Sequence, residues 1–245
     1  LQSTPSTKVM NIDLYLLPDL YDADNSKEYG VIIDLLRNST MITKLFENGI
    51  YELVPISSVS SISKFKEFIK FGERNSIKIK GFDYGNSPYE IKDLDFSRKK
   101  GVIYSTNGTR AIIRIGQYIP NLIIASMRNM ESVVKHIKKI GADISIVLSG
   151  QNNLIALEDV YCGGFLMDSL LEEKLDITMN DSAYLSLISY RAVKHSLKNA
   201  VRKTEHGKEL IWKGFEKDID MALEKNVTDL IPLYHAGIIH SIRHV

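Results

Sequence analysis

The sequence predicts an α/β fold: a mostly parallel or mixed sheet sandwiched by helices, with a helix-rich C-terminal half and a terminal β-hairpin. Three observations carry this. Short β-branched runs alternate with stretches of helical periodicity up to residue 150, the pattern of repeated strand-helix units. Several of the runs are apolar throughout, as strands covered on both faces must be. Beyond Leu154 helical patterns follow one another until two last strand-like runs flank Ala236-Gly237.

Taken in order, residues 8–16, 31–35, 51–55, 101–104, 122–125 and 144–148 read as strands. Between them, 41–48 closes on Gly49, 60–71 on Gly72 and 130–139 on Gly141, each a helix with a glycine stop, and 109–118 is a fourth helix. Residues 156–174, 182–201, 205–213 and 215–225 continue as helices, and 230–234 with 238–243 form the hairpin, which is expected to join the main sheet. The organisation implied is a polar tail at 1–7, an α/β phosphate-binding part at 8–150, and a helix-rich part at 151–245 packed against it.

Composition excludes several classes. A chain of 245 residues with 44% hydrophobic and 25% charged residues has the make-up of a globular protein and not of a disordered one. Its 31 Lys and Arg against 30 Asp and Glu create no global field for nucleic acid or an anionic membrane. No apolar run approaches the roughly 20 residues that span a bilayer. The single cysteine, Cys162, rules out an internal disulfide framework and fits a reducing, cytoplasmic setting. The six histidines have no zinc-ligand spacing. A homodimer is the commonest assembly for such a chain.

Four segments have chemistry to offer. Residues 31–40 run from a buried strand into Asp34, Arg37 and a hydroxyl-rich helix start; ligands in parallel sheets lie beyond such strand ends. Asp34 could bind a metal or act as base or nucleophile, and Arg37 has the fork geometry for phosphate or sulfonate. In Tyr104-Ser105-Thr106-Asn107-Gly108-Thr109 a strand turns tightly into a helix, so backbone N–H groups from Thr106 to Thr109 can cradle a phosphate that Gly108 lets approach. The glycine spacing and Gly-Lys-Ser/Thr ending of a P-loop are absent. The loop after Gly72-Glu73-Arg74, through Asp83, Asn86, Ser87 and Pro88, is fixed by turns and offers Arg74, Asp83, Asn86 and Ser87 as ligand contacts. Finally Glu158 and Asp159 open a helix, where they suit its dipole or supply oxygens to magnesium, and Cys162 follows one turn later. Each segment also has a plain structural explanation as a cap or turn.

The order of these segments resembles the 2-phosphosulfolactate phosphatase family. The likeness rests on Asp34-Leu35-Leu36-Arg37, Gly72-Glu73-Arg74, the run from Gly81 to Pro88, Thr106-Asn107-Gly108-Thr109, Leu157-Glu158-Asp159 with Cys162-Gly163, Asn180-Asp181-Ser182-Ala183, and His206-Gly207 with Gly214-Phe215. The resemblance implies an α/β fold, Mg²⁺ dependence and hydrolysis of 2-phospho-3-sulfolactate to 3-sulfolactate and phosphate. The chain departs from the family pattern where Asn38-Ser39 precede Thr40 and at Ser126-Met127-Arg128-Asn129-Met130. The expected site has Asp34, Glu158 and Asp159 as catalytic and metal-binding acids. Arg37, Arg74, Asn86, Ser87, Thr106, Asn107, Gly108 and Thr109 are expected to hold a small anionic phosphate ester, with water as the attacking group. Two rival readings are an isochorismatase-like cysteine hydrolase using Cys162, and an anion-binding module without turnover.

Overall fold

The computed structural model describes residues 9–243; the tail expected at 1–7 and His244 lie outside them. The strands are β1 (Met10–Tyr15), β2 (Tyr29–Ile33), β3 (Glu52–Pro55), β4 (Ile69–Arg74), β5 (Ile77–Lys78), β6 (Lys100–Tyr104), β7 (Asn121–Ala125), β8 (Ile144–Leu148), β9 (Ile177–Met179), β10 (Leu230–His235) and β11 (Ile238–Arg243). Helices α1 (Asn38–Glu47), α2 (Gly108–Ile115), α3 (Met130–Ile140) and α4 (Leu157–Glu172) are followed by α5 (Asp181–Val193), α6 (Leu197–Arg202), α7 (Glu205–Trp212) and α8 (Glu216–Ala222). All strands belong to one sheet of order β5-β4-β6-β3-β11-β10-β7-β2-β8-β1-β9.

Alternation along the strands sorts the core into two layers. Val31, Ile33, Ile123, Ala125, Ile146 and Leu148 face one way, against α3, α4 and α5. Their neighbours Ile32, Ile124 and Val147 face the other way, against Met41, Ile42 and Leu45 of α1 and Ala111, Ile112 and Ile115 of α2. A strand covered on both faces is apolar at almost every position, so residues 31–33 and 122–125 include no polar side chain and β8 admits one, the buried Ser145.

The hairpin β10–β11 sits in the middle of the sheet. Within β7-β2-β8-β1-β9 every pairing is parallel. The group β3-β6-β4 is parallel too. Between them β10 pairs antiparallel with β7, β11 with β10, and β11 with β3. Three reversals leave the two parallel groups running in opposite senses, so in a flat sheet their carboxyl ends would lie on opposite edges. Twist removes that separation. Five steps lead from β2 to β6, and at about 20–25° per step the accumulated rotation exceeds about 100°. The β11–β3 ladder is a single pair, Ile239 with Leu53, the short contact that steeply crossing strands leave. The sheet thus coils around α1 and α2, and both sets of carboxyl ends reach one place.

Three expectations are corrected. The helix expected at 60–71 is a 3₁₀ turn, Val59–Lys64, followed by β4. Ser58 caps that turn by accepting from the Ser60 N–H at 3.3 Å, and Phe71 is fully buried between strands, which outweighs the helical spacing of the run. The helix expected at 182–201 breaks into α5 and α6. Strand signals do not vanish after 154 either, because β9 extends the sheet edge by pairing with β1. Asn180 fixes that corner: its Oδ1 accepts from the Ala183 N–H at 2.9 Å and the Leu14 N–H at 3.1 Å, capping α5 and tying it to β1. Among the described residues no helix is long and apolar enough to cross a membrane.

Candidate active site

The carboxyl ends of β2, β4, β6 and β8 surround an open polar cleft of about 450 Å³, counted to its mouth. Asp34, the first residue beyond β2, stands in it. A dense local network fixes the turn: the Asp34 N–H donates to Ser39 Oγ at 2.9 Å, the Ser39 N–H to the Asp34 carbonyl at 2.8 Å, and Thr40 Oγ1 to the Leu35 carbonyl at 2.7 Å. The Asn38 N–H donates to Asp34 Oδ1 at 3.2 Å. The hydroxyl-rich stretch after Arg37 therefore knots the turn. Asp34 is only 6% exposed, and burial pushes its pKa up to about 6, opposed by the Asn38 N–H, His206 and Ser149.

Asp159 lies beneath it, 2% exposed. Its Oδ1 accepts from the Leu35 N–H at 2.8 Å, and its Oδ2 from the Gly150 N–H at 3.1 Å and from Ser149 Oγ at 3.3 Å. It clamps the ends of β2 and β8 together. Burial raises its pKa well above the ordinary carboxylate value, helped by the charges of Asp34 and Glu158. Glu158, 1% exposed, has Oε1 3.2 Å from His206 Nδ1. This pair joins α4 to α7, and His206 lines the cleft.

From the other half of the sheet come β6 and its turn into α2. A Cβ built on Gly108 would stand 2.5 Å from Asp34 Oδ2 and 2.5 Å from Asn38 Nδ2, so only glycine lets α1 and α2 begin so close together. Thr109 is spent within the turn: its Oγ1 accepts from the Ser105 N–H at 3.0 Å while its own N–H donates to Ser105 Oγ at 2.9 Å. The Thr106 N–H donates to Glu73 Oε1 at 2.7 Å. Of the four amides expected to cradle phosphate, those of Asn107 and Gly108 remain for a ligand. Asn107 Oδ1 accepts from the Asn152 N–H at 3.1 Å, linking this turn to the loop after β8.

The remaining expected residues divide. Asn86 is buried at the cleft wall. Arg37 also lines the cleft, but its guanidinium is engaged: Nη1 donates to Asp218 Oδ2 at 2.7 Å, Nη2 to the Ser76 carbonyl at 2.8 Å, and the group stacks 4.3 Å over the Phe215 ring. Ser87 supports that pair by donating to Asp218 Oδ1 at 2.6 Å. Arg74 is exposed and outside the cleft. Cys162 is fully buried in the core, where burial pushes its thiol well above its usual pKa. An inert, protonated thiol removes the cysteine-hydrolase reading.

Sequence reading passed over Glu73, which holds the Thr106 N–H with one oxygen and the Ser76 N–H with the other, 2.7 Å each. It also passed over Glu209, which receives Gln151 Nε2 at 2.8 Å and Ser76 Oγ at 2.9 Å. Strand alternation was the available signal for Glu73. It shares a face with the apolar Phe71, whereas Arg74 points the opposite way.

A family model described as 2-phosphosulpholactate phosphatase matches residues 15–237. The chain belongs to this family. A protein of Clostridium botulinum (strain Eklund 17B / Type B) named "Probable 2-phosphosulfolactate phosphatase" is 32% identical over 92% of this chain and 97% of its own length. One of the same name from Clostridium novyi (strain NT) is 31% identical, with coverage of 92% and 97%. Another, from Clostridium acetobutylicum, is 30% identical with coverage of 93% and 99%. The 2-phosphosulfolactate phosphatases are phosphoric monoester hydrolases, and the match spans both halves of the coiled sheet.

Proposed function

We propose that the cleft hydrolyses the phosphate ester of 2-phosphosulfolactate, or of a closely related 2-phospho-hydroxyacid, to the free hydroxyacid and inorganic phosphate with the help of Mg²⁺. One observation carries this reading: around Asp34, buried polar atoms of Asn38, Asn86 and Thr106 have no hydrogen-bond partner among the described residues. Buried polar groups left unpaired cost about 1–3 kcal/mol each, so they imply a ligand or ordered water.

Charge argues for a cation among the ligands. Asp34, Glu73 and Glu209 line the cleft, while Arg37 is already neutralised by Asp218. A phosphate dianion would meet repulsion there without a counter-charge. Among the described residues no three of His, Cys, Asp or Glu converge as a cage, and the oxygens of Asp159 already accept backbone and hydroxyl hydrogens. The donors fit the other arrangement that magnesium favours, one carboxylate with neutral oxygens, water and substrate. Asp34, Asn86 Oδ1 and Thr106 Oγ1 would hold it. A bound Mg²⁺ supplies charge stabilisation for the phosphoryl oxygens and the departing ester oxygen.

The protein's own residues do the rest. The N–H groups of Asn107 and Gly108, at the start of α2, bind phosphate oxygens. Glu73 keeps that turn in place through Thr106. Glu158 orients His206 by Nδ1 and so leaves Nε2 as the ring nitrogen that exchanges a proton with the attacking water or the ester oxygen. In the reaction a water oxygen bonds to phosphorus, the bond from phosphorus to the 2-oxygen breaks, and that oxygen leaves protonated.

The test is phosphate release from 2-phosphosulfolactate, phospholactate and phosphoglycerates, each with Mg²⁺ and with EDTA. The expected result is turnover of 2-phosphosulfolactate, or of a close 2-phospho-hydroxyacid, that EDTA abolishes and added Mg²⁺ restores. Turnover indifferent to EDTA would remove the metal. Binding of sulfolactate with no phosphate release from any ester would mark a module that has lost catalysis.

A further inference from the structure

Next to the catalytic cleft, and sharing Asn107 with it, is a second cavity of about 810 Å³ counted to its mouth. Its character is different. Where the cleft is walled by carboxylates, this cavity presents Arg110 and Arg114 from α2 above an apolar shelf of Leu17, Pro18 and Ile113. The catalytic reading above uses none of these five side chains. We propose that this cavity binds a small organic acid, one carboxylate or sulfonate on an apolar body, independently of the phosphate cleft.

The argument rests on charge and shape together. Arg114 is paired with Asp19, which also lines the cavity. Arg110, by contrast, has no ion-pair or hydrogen-bond partner among the described residues. An uncompensated guanidinium at the wall of a concave site is a fork for a planar carboxylate or for two oxygens of a sulfonate. A pocket with an apolar floor and a few convergent polar groups is what small-molecule sites have in common. Asn153 and Ser149, on the segment leaving β8, complete the polar rim. The net positive lining sets the ligand's sign, and the Leu17, Pro18 and Ile113 shelf asks for an apolar part that inorganic phosphate lacks.

The proposal is tested with 4-fluorobenzoate by fluorine NMR titration of the intact protein. Saturable binding is expected, weakened about tenfold or more in Arg110→Gln, since one charge-assisted contact is lost. The neutral 4-fluorobenzamide should bind at least about tenfold less tightly for the same reason. Inorganic phosphate added together with Mg²⁺, to fill the cleft, should leave the benzoate affinity unchanged. Absence of saturable binding, equal affinity for the amide, or full affinity in Arg110→Gln would each overturn the proposal. Displacement by phosphate would do so as well, by locating the probe in the cleft. Because the readout is binding, it stands or falls separately from the phosphatase reading.

Discussion

Asp34 concentrates the chemical tension of the molecule. Its folded pKa, about 6, lies above the roughly 3.9 of an unfolded aspartate, so the native state favours the protonated form. The stability that protonation contributes is fully present below the unfolded value and is lost as pH rises through about 6. At neutral pH the buried charge therefore costs stability, on the order of 3 kcal/mol. Asp34→Asn removes the charge but keeps an oxygen for the Asn38 N–H. It should lower phosphate release by about 100-fold or more, while the metal-free protein melts at the same or a higher temperature at pH 7. Calorimetry beside a phosphate assay checks both halves, and a clearly less stable variant would refute the account of Asp34. With Mg²⁺ held by Asp34 as proposed, a proton would compete for the same carboxylate, so at limiting Mg²⁺ the wild-type rate should climb as pH rises through about 6.

Among the elements, the starts of α1 and α2 matter most, because they come from different halves of the sheet and meet with no space for a methyl group. Gly108→Ala should destabilise the protein by about 1–3 kcal/mol and cut activity, since the intruding Cβ must push Asp34 or Asn38 aside. A melting curve and a rate give the answer together; a variant that loses stability yet retains full kcat would detach this contact from catalysis. The sequence made much of this level readable. Double-sided burial leaves near-continuous apolar runs, so β2, β7 and β8 stood out, and the strand ends pointed to Asp34 and to the turn at Thr106. Elements held by tertiary pairing were less visible. Residues 60–71 carry helical spacing, yet β4 forms because Phe71 enters the core and β6 offers a ladder. Only three residues make β9, too few for a period to register. Arg74 illustrates the same limit at the site: an arginine in a promising motif faces out because its strand parity opposes that of Phe71 and Glu73.

For the molecule as a whole, the cleft is a junction of distant chain segments, and its partners are set by long-range ion pairs that local sequence patterns do not encode. The Arg37–Asp218 pair, with both side chains 2% exposed or less, ties the β2–α1 turn to α8 across most of the chain. Removing one member leaves the other charged and buried, a loss of about 3–5 kcal/mol. Asp218→Asn should therefore lower the denaturant midpoint markedly, whereas replacing both residues with apolar ones, Arg37→Met with Asp218→Leu, should recover a large part of that stability without recovering full activity. If the single and double variants unfold alike, the pair is not what joins these segments.

The central position of the hairpin also sets a timetable. During synthesis β10 and β11 emerge after every other described strand, at about 5–20 residues per second, and until they arrive no strand bridges β7 to β3. Asp34 and the Thr106–Gly108 turn sit on separate half-sheets up to that moment, each with a raw edge. The nascent enzyme is in this sense a clasp bracelet: it has its stones from early on, but it cannot act, and is most open to proteases and chaperones, until the fastening closes.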